Sequence, residues 1–155
     1  MDTSETKKVL QECEFFRGLE QDFTDRIAGL CQQEDYGVGE YVFRQGDLGS
    51  RIFIIAEGQI FLERLTDLGA RKGTATIGVL GQGRVFGCWS TLLGEAHHLM
   101  SSALCQKPTR VLAIKGSDLR EMMVQNREWG FNLMERLCFL LRDRIQGAYG
   151  AMEKL

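Results

Sequence analysis

Apolar and polar residues alternate in short runs through the middle of the chain and recur at helical spacing towards both ends. Val9, Leu10 and Cys13 predict a short helix over 5–14. Phe23, Ile27, Leu30 and Cys31 recur at i, i+4, i+7 and i+8 and predict a second helix over 22–33. Phe15, Phe16 and Leu19 anchor the turn at Gly18 between them. Gly37 and Gly39 mark the entry to a sheet, where Tyr41 and Phe43 alternate with polar neighbours as a half-buried strand does. Gly46-Asp47 and Gly49 supply turn chemistry, because glycine takes positive φ without a steric penalty. Ile52-Phe53-Ile54-Ile55 is a short apolar run bounded by turns, the pattern of a strand buried on both faces.

Glu57-Gly58 turns the chain again, and Phe61-Leu62-Glu63-Arg64-Leu65 continues as a strand. The polar connection 66–73, with two glycines, predicts a hairpin tip before a returning strand over 74–80. Gly81-Gln82-Gly83 turns into Val85-Phe86-Gly87, and closing strands over 101–106 and 110–114 flank Pro108. Strands of this number and spacing predict a sandwich or jelly-roll barrel. Ser117 or Asp118 is expected to cap a short helix carrying Leu119, Met122 and Met123, and Asn126 to cap a long one.

Two stripes run along the long helix. Trp129, Leu133, Leu137 and Leu140 are expected to pack on the roll. Met134, Cys138, Leu141, Ile145, Ala148, Met152 and Leu155 follow a 4-3 alternation, the a/d seam of a two-helix coiled coil. A small roll covers one side of a helix and hardly two, so the second stripe predicts a homodimer; the other reading is one wide core face. Gly147 and Gly150 each weaken the helix by about 1 kcal/mol.

Composition narrows the class. The 155 residues are 44% apolar and 26% charged, which fits one globular domain over 1–155: helices in 1–36, roll in 37–115, helices in 116–155. No apolar run is long enough to span a bilayer. A formal charge of −2 argues against direct nucleic-acid binding by this chain. Cys13, Cys31, Cys88, Cys105 and Cys138 form no CxxC pair; with no signal-peptide pattern ahead of them, they predict reduced thiols in a cytoplasm. Adjacent His97 and His98 point different ways on a strand or loop, so one metal takes both only rarely, and no metal site is predicted. No Ser-His-Asp set, carboxylate pair or Walker-type loop emerges, and an enzyme is not expected.

The run from Gly39 to Ile60, with its glycine spacing, resembles the opening of the cyclic-nucleotide-binding domain. This is the β-roll of catabolite-activator-type regulators, regulatory subunits of cyclic-nucleotide-dependent kinases and gated channels. The resemblance extends from Phe15-Phe16-Arg17-Gly18-Leu19 through the last helix. It implies an α+β fold: a double-stranded β-helix (jelly-roll β-roll) flanked by N-terminal helices and a long C-terminal dimerisation helix. It also implies a phosphate-binding cassette of the form Phe-Gly-Glu, short helix, Arg-Ser/Ala. There the glutamate accepts from a ribose hydroxyl and the arginine pairs with the phosphate.

In this chain Phe86 and Gly87 match, while Cys88 stands at the glutamate position and Ser101 at the arginine position. The expected ligand-binding set is Phe86, Gly87, Cys88, Trp89, Ser90, Thr91, Ser101 and Ser102. Tyr149 is read either as a ring stacked on a base from the last helix or as an ordinary surface tyrosine. Two lost charge-assisted bonds, at about 1.5–3 kcal/mol each, predict weak cAMP or cGMP binding. The leading expectation is a cytoplasmic, dimeric ligand-sensing module of signal transduction or transcription regulation, taking a cyclic nucleotide or another small anionic or aromatic ligand. The alternative is a ligand-free dimerisation or interaction domain. A haem-based sensor is a third, since haem-binding relatives use a Cys and a His near the Phe-Gly segment, where Cys88 lies. Catabolite-activator-type relatives carry a helix-turn-helix domain after this helix; none follows Leu155 here, so the expectation is a fragment of a regulator or a free-standing domain.

Overall fold

Ten short strands and four helices make up the computed structural model, which describes residues 1–67 and 69–154. The chain begins with α1 (Thr3–Glu12) and α2 (Gln21–Leu30). The strands are β1 (Gln32–Tyr36), β2 (Tyr41–Phe43), β3 (Leu48–Gly49), β4 (Arg51–Glu57), β5 (Ile60–Asp67), β6 (Lys72–Leu80), β7 (Val85–Gly87), β8 (His97–His98), β9 (Ser102–Cys105) and β10 (Thr109–Lys115). A 3-10 turn, Trp89–Leu93, separates β7 from β8. Helices α3 (Gly116–Gln125) and α4 (Arg127–Met152) follow the last strand.

One antiparallel sheet has the order β1-β10-β4-β7 and the facing sheet β2-β9-β5-β6, with β3-β8 as a two-stranded ribbon at one end. This is the expected jelly roll. The apolar run in β4 has a simple cause: its two faces serve two cores. Ile52 and Ile54 point outwards and pack with Val85, Leu112 and Ile114 against Phe23 and Ile27 of α2 and Leu133 of α4. Phe53 and Ile55 point inwards and meet Ile60, Leu80, Phe86, Ala103 and Cys105. Burying both faces removes every apolar side chain in the run from water, at about 25 cal/mol per Å².

Four boundaries differ from the sequence reading. The second helix ends at Leu30 rather than at 33, because Gln32–Tyr36 pairs with β10 as the first strand of the roll. The first helix starts earlier, at Thr3, because Asp2 and Glu5 form a reciprocal capping box. Helix α3 starts at Gly116, with neither Ser117 nor Asp118 as its cap. Gly116 N donates to Ser50 O at 2.9 Å, and a Cβ there would lie 1.7 Å from Thr91 Oγ1, so only glycine lets the helix begin so close to the roll. The hairpin tip is narrower than 66–73: β5 runs to Asp67 and β6 resumes at Lys72, the two pairing there, while Leu68 lies outside the described residues.

Asn126 caps α4 as expected, its side chain accepting from Trp129 N at 3.2 Å. Leu133, Leu137 and Leu140 are buried and Trp129 stacks on Phe23 at 4.3 Å, so the first stripe faces the roll. The second stripe is divided. Met134 and Leu141 pack partly on the outer core, whereas Cys138, Ile145 and Met152 are exposed. Leu155 lies outside the described residues.

Candidate functional site

The candidate site is built around β7 and the turn after it. Gly87 takes φ +129°, and a Cβ there would sit 2.5 Å from Arg51 O. Any other residue would meet both the left-handed strain and the backbone of β4. The next amide, Cys88 N, donates to the same carbonyl at 3.0 Å. Phe86 and Phe53 stack at 5.2 Å, and Phe43 leans on both at 5.8 and 5.9 Å. Three rings therefore fill the middle of the roll, and the polar groups gather at its end.

That end is strapped together by the turn 44–49. Gly49 is so close to Cys88 and Leu99 that an added Cβ would lie 2.8 Å from Cys88 Cβ. Gly46 N donates to Leu99 O and Leu99 N to Asp47 O, each at 2.8 Å. Gln45 N donates to Ser102 Oγ at 2.8 Å, and Gln45 Oε1 accepts from Leu65 N at 2.8 Å. Hence Cys88, Leu99 and Ser102 all meet the same strap, which comes from about forty residues or more earlier in the chain.

The expected ligand residues fall into two groups. Gly87, Cys88 and Ser102 lie at this end with Ser90 at its rim, Ser101 adjoins Ser102 in the chain, and Phe86 belongs to the rings in the middle of the roll. Ser90 Oγ lies 3.4 Å from Cys88 Sγ and donates to Glu95 O at 3.0 Å. Trp89 and Thr91 turn the other way. The Trp89 ring packs edge-on against Phe15, 5.7 Å away, in the outer core. Thr91 is buried; its hydroxyl donates to Cys88 O at 2.8 Å and faces Gly116. Both follow from the tight 3-10 turn, which sends successive side chains to different sides. Tyr149 is 65% exposed on α4.

The histidines form β8, which pairs with β3. Their ring nitrogens diverge: His97 Nδ1 is bonded to His98 O at 2.7 Å and His98 Nδ1 to Gly46 O at 2.9 Å. Among the described residues no group of three or more His, Cys, Asp or Glu has metal-binding geometry.

Two arginines stand at the same end. Arg51, on the inner face of β4, forms an ion pair with Glu34 and lies 5.0 Å over the Phe53 ring. Glu34 also accepts from Tyr36, whose phenol is pushed above its ordinary pKa first by burial and then by that carboxylate. Arg64, on β5, donates to Met100 O. Neither arginine was singled out from sequence. The available signal for Arg64 was its parity with Ile60 and Leu62, which puts it on the apolar face of its strand.

Behind the site, Glu14 ties β7 to the last helix. Glu14 Oε1 accepts from Val85 N at 3.0 Å and from Arg144 Nη2 at 2.7 Å, and Glu14 Oε2 meets Arg84 Nε at 2.5 Å. Arg144 Nη2 also donates to Val85 O at 2.6 Å. Desolvation draws the Arg144 pKa down, with Glu14 opposing. Two surface recesses lie elsewhere: about 440 Å³ beside Asp22, Arg26 and Trp129, and about 560 Å³ beside Tyr36, Glu40 and Arg44. Their walls mix charged side chains with Trp129 in the first and with Tyr36 and Tyr41 in the second.

A family profile described as "Cyclic nucleotide-binding domain" matches residues 33–126. The chain is similar to the cyclic AMP receptor protein of Thermus thermophilus, at 32% identity over 128 residues, covering 83% of this chain and 57% of that protein. It is also similar to the cGMP-dependent protein kinase egl-4 of Caenorhabditis briggsae, at 32% identity over 92 residues, 59% of this chain and 12% of the kinase. The chain thus spans little more than half of the first relative and a small part of the second. Among solved structures, it is similar to the Thermus thermophilus catabolite activator protein, with TM-score 0.70 and 29% identity over 90% of this chain and 62% of that one. A cyclic nucleotide-binding domain from Methylobacillus flagellatus superimposes with TM-score 0.79 over 99% of this chain and 84% of that one; at 18% identity it speaks to the fold alone.

Proposed function

The chain belongs to the cyclic nucleotide-binding domain family, and from that premise we propose that it is a ligand-sensing regulatory module whose site is the β7 end of the roll. The observation that carries the reading is Gly87. Its left-handed backbone is pressed on the Arg51 carbonyl, so the Phe86-Gly87 turn holds Cys88 against Gly49, in the same strap that binds Ser102 through Gln45 N. The ligand is a small phosphate-bearing molecule of the cyclic-nucleotide class. It binds weakly, because a thiol and a hydroxyl replace the carboxylate and guanidinium that the family resemblance leads one to expect at Cys88 and Ser101.

The module works as a homodimer through α4. Phe131, Cys138, Ile145 and Met152 recur every seven residues and are all exposed, with Met134 and Leu141 half-buried between them. That is the a/d pattern of a two-helix seam, and it starts one turn earlier than the sequence reading placed it. Binding at the β7 end biases the helix position, which requires unequal ligand affinity for the two states. The chain carries no chemistry of its own and acts in signal transduction or transcription regulation in the cytoplasm.

A thermal-shift panel of cAMP, cGMP and non-cyclic nucleotides tests the reading. Ligand at 100 times its Kd adds about 2.7 kcal/mol of stability. A shift with a cyclic nucleotide is the expected result. No shift with any member at millimolar concentration contradicts it and favours the second reading, a ligand-free dimerisation domain, to which the same exposed seam lends support.

A further inference from the structure

Strand β5 carries an arginine where its pattern calls for an apolar residue. Ile60 is fully buried and Leu62 packs on the inner core, so Arg64, two residues on, shares their inward face. The neighbouring strand β9 fixes what lies opposite. Ile60 pairs with Cys105 and Leu62 with Ala103, so the same register, continued past the last pair, sets Arg64 across from Ser101. The hydrogen bond agrees, because the Arg64 guanidinium donates to the carbonyl of Met100, immediately before Ser101.

The charge state of the two arginines at this end separates them. Arg51 is neutralised by Glu34. Arg64 is exposed, and among the described residues no carboxylate forms an ion pair with it. A guanidinium carries five N–H donors in a planar fork. Among the described residues Met100 O takes one of these donors, which leaves others for a phosphate oxygen pair.

Resting on the sensor reading above, we propose that Arg64 is the cation of the site. It supplies from the adjacent strand the guanidinium that Ser101 does not, and the group it recognises is a phosphate monoanion, held between the Arg64 fork and the Ser101 hydroxyl. The missing charge is replaced in part from across the sheet, by a guanidinium that Met100 O already engages.

Isothermal titration of cAMP, cGMP and inorganic phosphate into wild type, Arg64→Ala, Arg64→Lys and Lys72→Ala tests this, with a circular-dichroism melt confirming that each variant folds. Arg64→Ala is expected to weaken cyclic-nucleotide binding about 10- to 100-fold and to flatten its salt dependence. Arg64→Lys is expected to recover part of the loss, since an ammonium keeps the charge without the fork. Lys72→Ala, at the exposed start of β6, is expected to leave binding unchanged. Equal cyclic-nucleotide affinity in wild type and Arg64→Ala overturns the role of Arg64 and leaves the sensor reading intact. Arg64-dependent binding of inorganic phosphate without any nucleotide overturns the sensor reading and keeps the anion site. No binding of any probe to wild type overturns both.

Discussion

Burial sorts the five thiols. Cys13, Cys88 and Cys105 are buried in the cores, whereas Cys138 stands exposed on α4. Iodoacetamide at pH 8 is therefore expected to label Cys138 first, with the three buried thiols following only on unfolding; mass spectrometry of the digested protein reads the order. Burial pushes Cys31 from an ordinary 9.0 up to about 12, and raises Cys13 and Cys105 as well. A folded-state pKa above the unfolded one stabilises the fold below about pH 9, and that contribution is lost as pH rises through the folded value. Urea melts are expected to show stability falling between about pH 9 and 12, and Cys31→Ala should make that fall shallower. Gly87→Ala meets both positive φ and the Arg51 carbonyl, and should cost about 2 kcal/mol or more in the same melts. At this scale Phe86-Gly87 was legible through the family resemblance, and glycine there answers a close backbone approach. Arg64 was not, because the cassette motif covers only its own stretch of chain, whereas the cation proposed here lies on the neighbouring strand.

Elements were legible where one periodicity dominates. Strand β4 and helix α4 have strong patterns and clear ends. Strand β1 has neither: Gln32–Tyr36 holds four polar residues and Tyr36, so nothing local distinguishes it from a continuing helix end. Only its pairing with β10 makes it a strand. Ribbon β3-β8 is two residues long on each side and was equally silent. The capping box at Asp2–Glu5 was readable and explains why α1 begins before its apolar face does. Between elements, Glu14 joins the end of α1 to β7 and α4. Removing its carboxylate strands the half-buried guanidinium of Arg144, 18% exposed, against Val85. Glu14→Ala is expected to cost about 2 kcal/mol, below the usual range for a fully buried pair. Glu14→Gln should cost less, since it still accepts from Val85 N. Asn126→Ala should cost about 1 kcal/mol through the lost cap of α4. Chemical denaturation of the three variants separates these values.

For the whole molecule, two cores explain the architecture. The inner one closes the roll around three phenylalanine rings, and the outer one fastens the helices to the β1-β10-β4-β7 sheet, while α4 also lies against β6. What remains uncovered is the outer side of α4, and Ile145→Glu is expected to turn a dimer into a monomer by light scattering at micromolar concentration, with folding unchanged because Ile145 is exposed. A wild-type chain that is already monomeric contradicts the seam. The fold was legible as a whole because glycine turns and short strands repeat in a fixed order. The ligand was not, because it depends on which side chains meet across strands.

The most direct test of the site restores what the cassette lacks. Calorimetric titration of cAMP into wild type and Ser101→Arg compares a hydroxyl with a guanidinium at one half-buried position. Adding one charge-assisted bond of about 1.5–3 kcal/mol should tighten binding about 10- to 100-fold over a weak wild-type value. No heat in either protein would contradict the assignment of the β7 end as a phosphate site, whereas equal and measurable affinities would mean that Arg64 already supplies the charge.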